Sequence, residues 1–339
     1  MQKLTRFFTF SVLLLTLPLS AVLAGGGGSS SNKSDLDGTY IVLAHGILGW
    51  DDDTRDGTVF NKYGLPYWGG MDEHLRGRGA RVMTDGKSAL AHSYDRAEQM
   101  RYQINLWLAS ESADNKKIHI LSHSQGGMDS RILASPGGLA GLSNAHGNRI
   151  ASVTTISSPH YGTSFADVLL GLIPGSGIQN LLAGLVNTIA GLIYNGELII
   201  NNPNQDLLAA TFMAVGEMDI FNANFHDAAS VKYFSTGSKI RAWNIFEHNP
   251  LLLPLYLANL HGGTRLSSPQ IGEIGKENDG AIPYRSMRWG KWISGPKEKF
   301  YSTGVDHLQI TNAFYSGQLW FDVKGFYNKL AENAKNSAL

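Results

Sequence analysis

Residues 117–133, KIHILSHSQGGMDSRIL, restrict the architecture of this chain more than any other stretch. An apolar run of strand length ends in Ser122-His123-Ser124-Gln125-Gly126, and a helical pattern begins at once. A strand that feeds a helix so abruptly needs a sharp, strained turn. Small residues two before and two after Ser124 let the two elements approach each other there. The pattern departs from Gly-x-Ser-x-Gly only at Ser122, which adds a hydroxymethyl group where glycine suits best. On such a turn Ser124 is a candidate nucleophile, and the N–H of Gln125, at the helix start, points where negative charge would form. A serine hydroxyl is a weak nucleophile until a histidine can take its proton, so the motif needs partners.

The flanking sequence predicts the sheet that this turn requires. TYIVLAHG (39–46) reads as a buried parallel strand ending in glycine, GGMDEHLRGRG (69–79) as a helix closed by glycine, and ARVMTD (80–85) as the next strand. Met100, Ile104, Trp107 and Leu108 fall at helical spacing, KKIHILS is a third strand, and NRIASVTTISSP (148–159) contains a fourth. Strand–helix alternation predicts an α/β fold with a mostly parallel central sheet and helices on both faces.

Charge is balanced, with 28 basic and 28 acidic residues and no basic cluster, which argues against a nucleic-acid partner. The absence of cysteine excludes disulfides, thiolate nucleophiles and cysteine-ligated metals. At the N-terminus, MQKLTRFFTFSVLLLTLPLSAVLAGG predicts a secretory signal peptide over residues 1–24. Lys3 and Arg6 precede an apolar run, and small residues surround Ala24. The rival reading, a membrane anchor, is weakened by Ser11, Thr16, Pro18 and Ser20 in a run that only just reaches spanning length. Residues 25–37 read as a flexible Gly/Ser-rich leader, leaving 38–339 as the folded domain of an exported protein. Between Val168 and Gly196 no residue is charged, and Pro174, Gln179, Asn180 and Asn187 cut this run below membrane-spanning length. It reads either as two buried helices or as a mobile cap whose apolar face meets lipid.

His45-Gly46 ends the first strand, where the backbone N–H of Ile47 is the candidate second oxyanion donor. If Ser124 is a nucleophile, an acid and then a histidine follow it in the chain. His307, in STGVDHLQITNAF, is the candidate base, and Asp279, in the Asn-Asp-Gly turn of KENDGAIPYRSMR, is the candidate acid that fixes its tautomer. Taken singly, an Asn-Asp-Gly is usually only a turn and a lone histidine usually inert.

Taken together, LAHGILG, LSHSQGGMDSR, ASVTTISSPHYGTSFAD, NQDLLAA, NDG, SMRWGK and DHLQITN occur in an order that resembles the true lipases of the Pseudomonas–Burkholderia–Proteus type. The likeness runs from about Tyr40 to the C-terminal helix. It implies an α/β-hydrolase fold, with Ser124 as nucleophile, Asp279 as acid, His307 as base, and Ile47 and Gln125 as oxyanion donors. It further implies a helical lid over about 163–215 and hydrolysis of carboxylic esters, above all triacylglycerols at an oil–water interface, through an acyl-serine. His45 and His160 match family motifs in supporting roles, and His123 is expected to point away from the cleft.

The departures carry their own expectations. One calcium aspartate of the family falls on Gln309, and 248–272 contains no acidic residue to supply the other, so no calcium or other cofactor is expected. DDDTRDGTVFNKY also fails as a calcium loop, because its twelfth residue is Tyr63 instead of Glu. The lack of cysteine disfavours dependence on a dedicated foldase. Competing readings are a short-chain carboxylesterase, an aliphatic polyester depolymerase, a phospholipid-acting esterase and, most remotely, a non-catalytic binding protein with this fold.

Overall fold

The inner strands of the central sheet are short and buried, and every strand of it pairs in parallel with its neighbours. The computed structural model describes residues 35–52, 65–139, 149–173, 177–180, 182, 184–185, 211–297, 299–317 and 320–337. Its strands are β1 (Tyr40–Ala44), β2 (Arg81–Thr84), β3 (Ile118–His123), β4 (Ile150–Ile156), β5 (Lys232–Thr236), the short antiparallel pair β6 (Ser267–Ser268) and β7 (Gly272–Glu273), and β8 (Lys291–Trp292). The main sheet has the order β2-β1-β3-β4-β5-β8 and is parallel throughout. Its helices are α1 (Met71–Gly77), α2 (Ser93–Ser110), α3 (Gly126–Ala134), α4 (Ser164–Leu169), α5 (Val215–Asn224), α6 (Leu253–Gly262) and α7 (Val323–Asn336). The signal peptide, residues 25–34 of the leader, 186–210 of the expected lid and residues 53–63 of the acidic loop lie outside the described residues.

Alternation along the strands divides the interior in two. Ile41 and Leu43 of β1, with Leu121 and Ile156, face one core, into which α1 sends Met71 and Leu75 and α7 sends Phe326, Tyr327, Leu330 and Ala331. Val42 and Ala44, with Ile118, Ile120 and Val153, face the other, where α2 contributes Ala97, Met100, Ile104 and Leu108 and α3 contributes Met128, Ile132 and Leu133. Both faces are thus covered, as parallel sheets require. The spacing of three and four residues on α2 is what puts its apolar stripe on one side. Each such side chain, fully buried, contributes about 1.5–3 kcal/mol. Among the described residues, no helix is long and apolar enough to cross a membrane.

Candidate active site

At the C-terminal end of β3 the chain turns sharply into α3. Ser124 takes the left-handed backbone conformation, φ 56°, that a side chain rarely adopts. Strain of this kind costs about 1–3 kcal/mol and persists only when the surroundings enforce it. Here the Ser124 N–H donates to the Ile156 carbonyl at 3.0 Å, and its own carbonyl accepts the Gly127 N–H at 3.0 Å. The glycines are dictated by crowding. A Cβ at Gly126 would lie 2.5 Å from the Ala44 carbonyl oxygen, and one at Gly127 would lie 2.3 Å from the Ser158 hydroxyl. Ser122 has no such constraint: it pairs within the sheet opposite Ala44 and Thr155, where a hydroxymethyl group fits.

His307 is brought to the same end by a loop that follows β8. Its Nδ1 lies 2.8 Å from Asp279 Oδ2, and its backbone N–H donates to the Asp279 carbonyl, also at 2.8 Å. The other carboxylate oxygen, Oδ1, accepts the N–H groups of Ala281 (3.0 Å) and Ile282 (2.8 Å). Asp279 is fully buried and His307 nearly so. Three hydrogen bonds shared between its two oxygens fix the plane of the Asp279 carboxylate and with it the imidazole. The His307 ring packs 4.4 Å, centroid to centroid, from the ring of His123, the residue before Ser124.

The loop after β1 crosses directly over Ser124. A Cβ at Gly46 would lie 2.6 Å from Ser124 Cβ and 3.1 Å from its Oγ. A buried charge network beneath this loop holds it. The Arg96 guanidinium donates to the carbonyls of His45 (2.8 Å) and Gly46 (3.1 Å) and to Asp129 Oδ2 (2.9 Å), while Asp85 accepts the His45 N–H (2.9 Å) and pairs with Lys87. The His45 ring lies between the carbonyls of Gly46 (2.8 Å) and Lys87 (3.1 Å), so it shapes the loop from within, and burial holds it well below the ordinary imidazole range. Among the described residues, the backbone N–H groups of Ile47 and Gln125 make no hydrogen bond. The Gln125 side chain is instead anchored on Ala91 and Ser93.

The chain is similar in sequence to proteins named triacylglycerol lipase. One from Vibrio cholerae is 31% identical over 187 residues, 54% of this chain and 54% of that protein. One from Pseudomonas fragi is 24% identical over 291 residues, 82% and 89% of the two chains. The chain spans about half the length of several curated relatives it matches. No family model matches. Among solved structures, EstA from Clostridium botulinum aligns at a TM-score of 0.60 and 20% identity, over 91% of this chain and 90% of that one. The fold is that of the α/β-hydrolases.

Within this hydrolase fold, His160 is buried away from Asp279 and His307. Its Nε2 lies 2.8 Å from the Thr155 hydroxyl, its Nδ1 faces Arg131, and its ring stacks on Trp289. His123, expected to point away from the cleft, is 1% exposed, and its ring packs against that of His307. Burial first, and then the neighbouring His307, hold His123 well below the ordinary imidazole range, hence neutral. Tyr67 is a site residue that the sequence did not reveal. Its hydroxyl accepts the Gly46 N–H at 2.9 Å and lies 2.6 Å from His123 Nδ1, so it bridges the loop after β1 to the ring beside the base. Its only signal is an aromatic residue in LPYWGG, a pattern that equally suits packing.

The two ends of the expected lid are pinned together. The Thr163 N–H donates to the Met213 carbonyl at 3.0 Å, and Asp167 of α4 accepts the Val215 N–H at 3.1 Å. Burial raises the Asp167 carboxyl to about 6.

Proposed function

We propose that this chain is a serine ester hydrolase of the triacylglycerol-lipase kind, acting on lipid esters at an oil–water interface after export. The observation that carries the reading is the Asp279–His307 pair at 2.8 Å, whose imidazole packs 4.4 Å from the ring of His123, the residue before a serine held at φ 56° on a strand-to-helix elbow. Similarity to triacylglycerol lipases supports the substrate class.

In this reading His307 takes the proton of Ser124 Oγ as the oxygen attacks the ester carbonyl. Asp279 holds the imidazole in the tautomer that leaves Nε2 able to accept, and it stabilises the imidazolium that results. The N–H groups of Ile47 and Gln125 receive the oxyanion, Gln125 with the added field of the α3 N-terminus. His307 then returns the proton to the departing alcohol, leaving an acyl-Ser124, and the same groups activate water to release the acid. The segment over about 163–215 acts as the lid, and the specific kinship is with the Pseudomonas–Burkholderia–Proteus lipases.

The test is hydrolysis of p-nitrophenyl esters from acetyl to palmitoyl, with emulsified tributyrin and triolein, by wild type and Ser124→Ala. Long-chain and emulsion activity that falls about 10⁴-fold or more in Ser124→Ala is the expected result. Activity confined to short soluble esters would make the protein an esterase, and none on any ester would overturn the reading.

A further inference from the structure

The resemblance implies a calcium ion near the catalytic histidine, but the residues at that place do not fit one. Among the described residues, no three His, Asp or Glu side chains converge to hold a metal ion. A hard divalent cation needs six to eight oxygens with carboxylate charge among them, and here the oxygens are already engaged. Asp306 Oδ1 accepts the N–H groups of Leu308 and Gln309, each at 2.9 Å, and Oδ2 accepts the Asn249 N–H at 3.0 Å. Gln309 Oε1 accepts the Asp306 N–H at 2.9 Å, and Gln309 Nε2 donates to the Glu247 carbonyl. The orientation of the amide is dictated by its surroundings, since the Asp306 N–H can only donate and the Glu247 carbonyl can only accept.

We propose that Gln309 is a positioning residue for His307: a neutral amide strap that ties the histidine loop to residues 247–249, doing the work that a metal would otherwise do. His307 is thereby held on two sides. Asp279 fixes its ring and backbone from the front, and the Asp306–Gln309 clamp fixes the residues on either side of it from behind. Gln309 is 1% exposed and its bond to the Asp306 N–H is buried, so water does not take the place of that bond when the side chain is changed. A side chain of the same length that makes neither bond leaves the buried Asp306 N–H without its acceptor and unties the loop from residue 247. The loop then opens and His307 drifts, and a displacement near 1 Å in a catalytic group costs about a hundredfold in rate. No divalent ion is needed at any point.

The catalytic part of this inference rests on the ester-hydrolase reading, so the experiment pairs a structural readout with a kinetic one. Wild type, Gln309→Met and Gln309→Glu are compared in calcium and in excess EDTA. Amide hydrogen exchange is followed at residues 306–310, together with kcat and KM for a p-nitrophenyl ester. Gln309→Met keeps the volume and removes both bonds, whereas Gln309→Glu keeps the acceptor and loses the donor. The expected result is that EDTA changes nothing in wild type and that exchange at 306–310 speeds up at least tenfold in Gln309→Met and less in Gln309→Glu. In Gln309→Met, kcat per active site, with active enzyme counted by titration of the nucleophile, should fall tenfold to a hundredfold with KM within twofold; partial unfolding would lower the number of active sites and leave kcat per site unchanged. Should Gln309→Met not fold, faster exchange at 306–310 in Gln309→Glu supports the strap and unchanged exchange overturns it. Faster exchange at these amides in wild type on chelation, or wild-type exchange and kcat in Gln309→Met, also overturns it. If wild type hydrolyses no ester, the functional reading fails, and the exchange comparison alone decides whether the strap holds the loop.

Discussion

Ser124 shows how much chemistry one backbone torsion can fix. With φ at 56°, its side chain stands clear of the sheet while Gly46 crosses within van der Waals distance. The Gly46 amide is itself held by Tyr67, which in turn touches His123 and, through it, the base. Tyr67→Phe removes that hydroxyl and leaves a buried N–H without an acceptor, a loss of about 1–3 kcal/mol in stability. Freed from Tyr67, the loop bearing Ile47 is less well aimed, so kcat for ester hydrolysis is expected to fall about tenfold or more. Thermal melts and steady-state kinetics on the purified variant check both parts, and a wild-type kcat would show that Arg96 alone suffices to hold the loop. Ser124, Asp279 and His307 were legible because each sits in a local pattern whose order along the chain is itself informative. Tyr67 and His123 were not, because their roles arise from a contact between a loop, a strand end and a second loop, and no spacing records it.

Elements with a strong period were read correctly for the same physical reason that they form. Met100, Ile104 and Leu108 of α2 are fully buried, and the strands around residues 40, 82, 120 and 153 lie where their apolar runs placed them. β5 escaped notice because KYFST is brief and opens on a lysine, and β8 because two residues carry no period at all. α5 mixes Glu217, Asp219 and Asn222 into an apolar sequence, so no clean stripe announces it. The junction of α4 with the start of α5 yields a pH prediction. Asp167 holds its proton in the folded chain up to about pH 6, whereas the unfolded chain loses it near 4. Its contribution is therefore full below about pH 4 and is lost as pH rises to about 6. Asp167→Asn removes this dependence. Its melting temperature should gain on that of wild type between pH 4 and 6 and run parallel above, as scanning calorimetry would show; an unchanged difference across that range would contradict the assignment.

Viewed as one molecule, the protein carries an unusual load of neutral imidazole in its interior. Burial holds His45, His123 and His160 well below the ordinary range and lowers His119 to about 4. As pH falls below about 6.5 the unfolded chain takes up protons that these rings refuse, so their contribution to stability declines toward pH 4. Asp52 and Asp167, raised by burial to about 7 and about 6, act in the opposite sense. His119 isolates the effect: its Nδ1 lies 2.8 Å from the Ser152 hydroxyl, a position the amide of asparagine can mimic. His119→Asn should flatten the dependence of unfolding free energy on pH between 4 and 6.5, by up to about 1.4 kcal/mol per pH unit. Urea titrations at stepped pH would measure it, and an unaltered slope would assign the acid sensitivity elsewhere. The parallel register has a further consequence, for the order in which the protein is made. Tyr40 has no strand to join until Arg81 has been synthesised, β8 is added to the edge of β5 only at Lys291, and Asp279 meets His307 only after residue 307 has left the ribosome. Contacts so distant along the chain are slow to form, because loop-closure entropy must be overcome before they reward it. On the proposed reading, a nascent chain therefore carries its serine without a base through most of its synthesis, and is chemically silent until its folding is nearly complete.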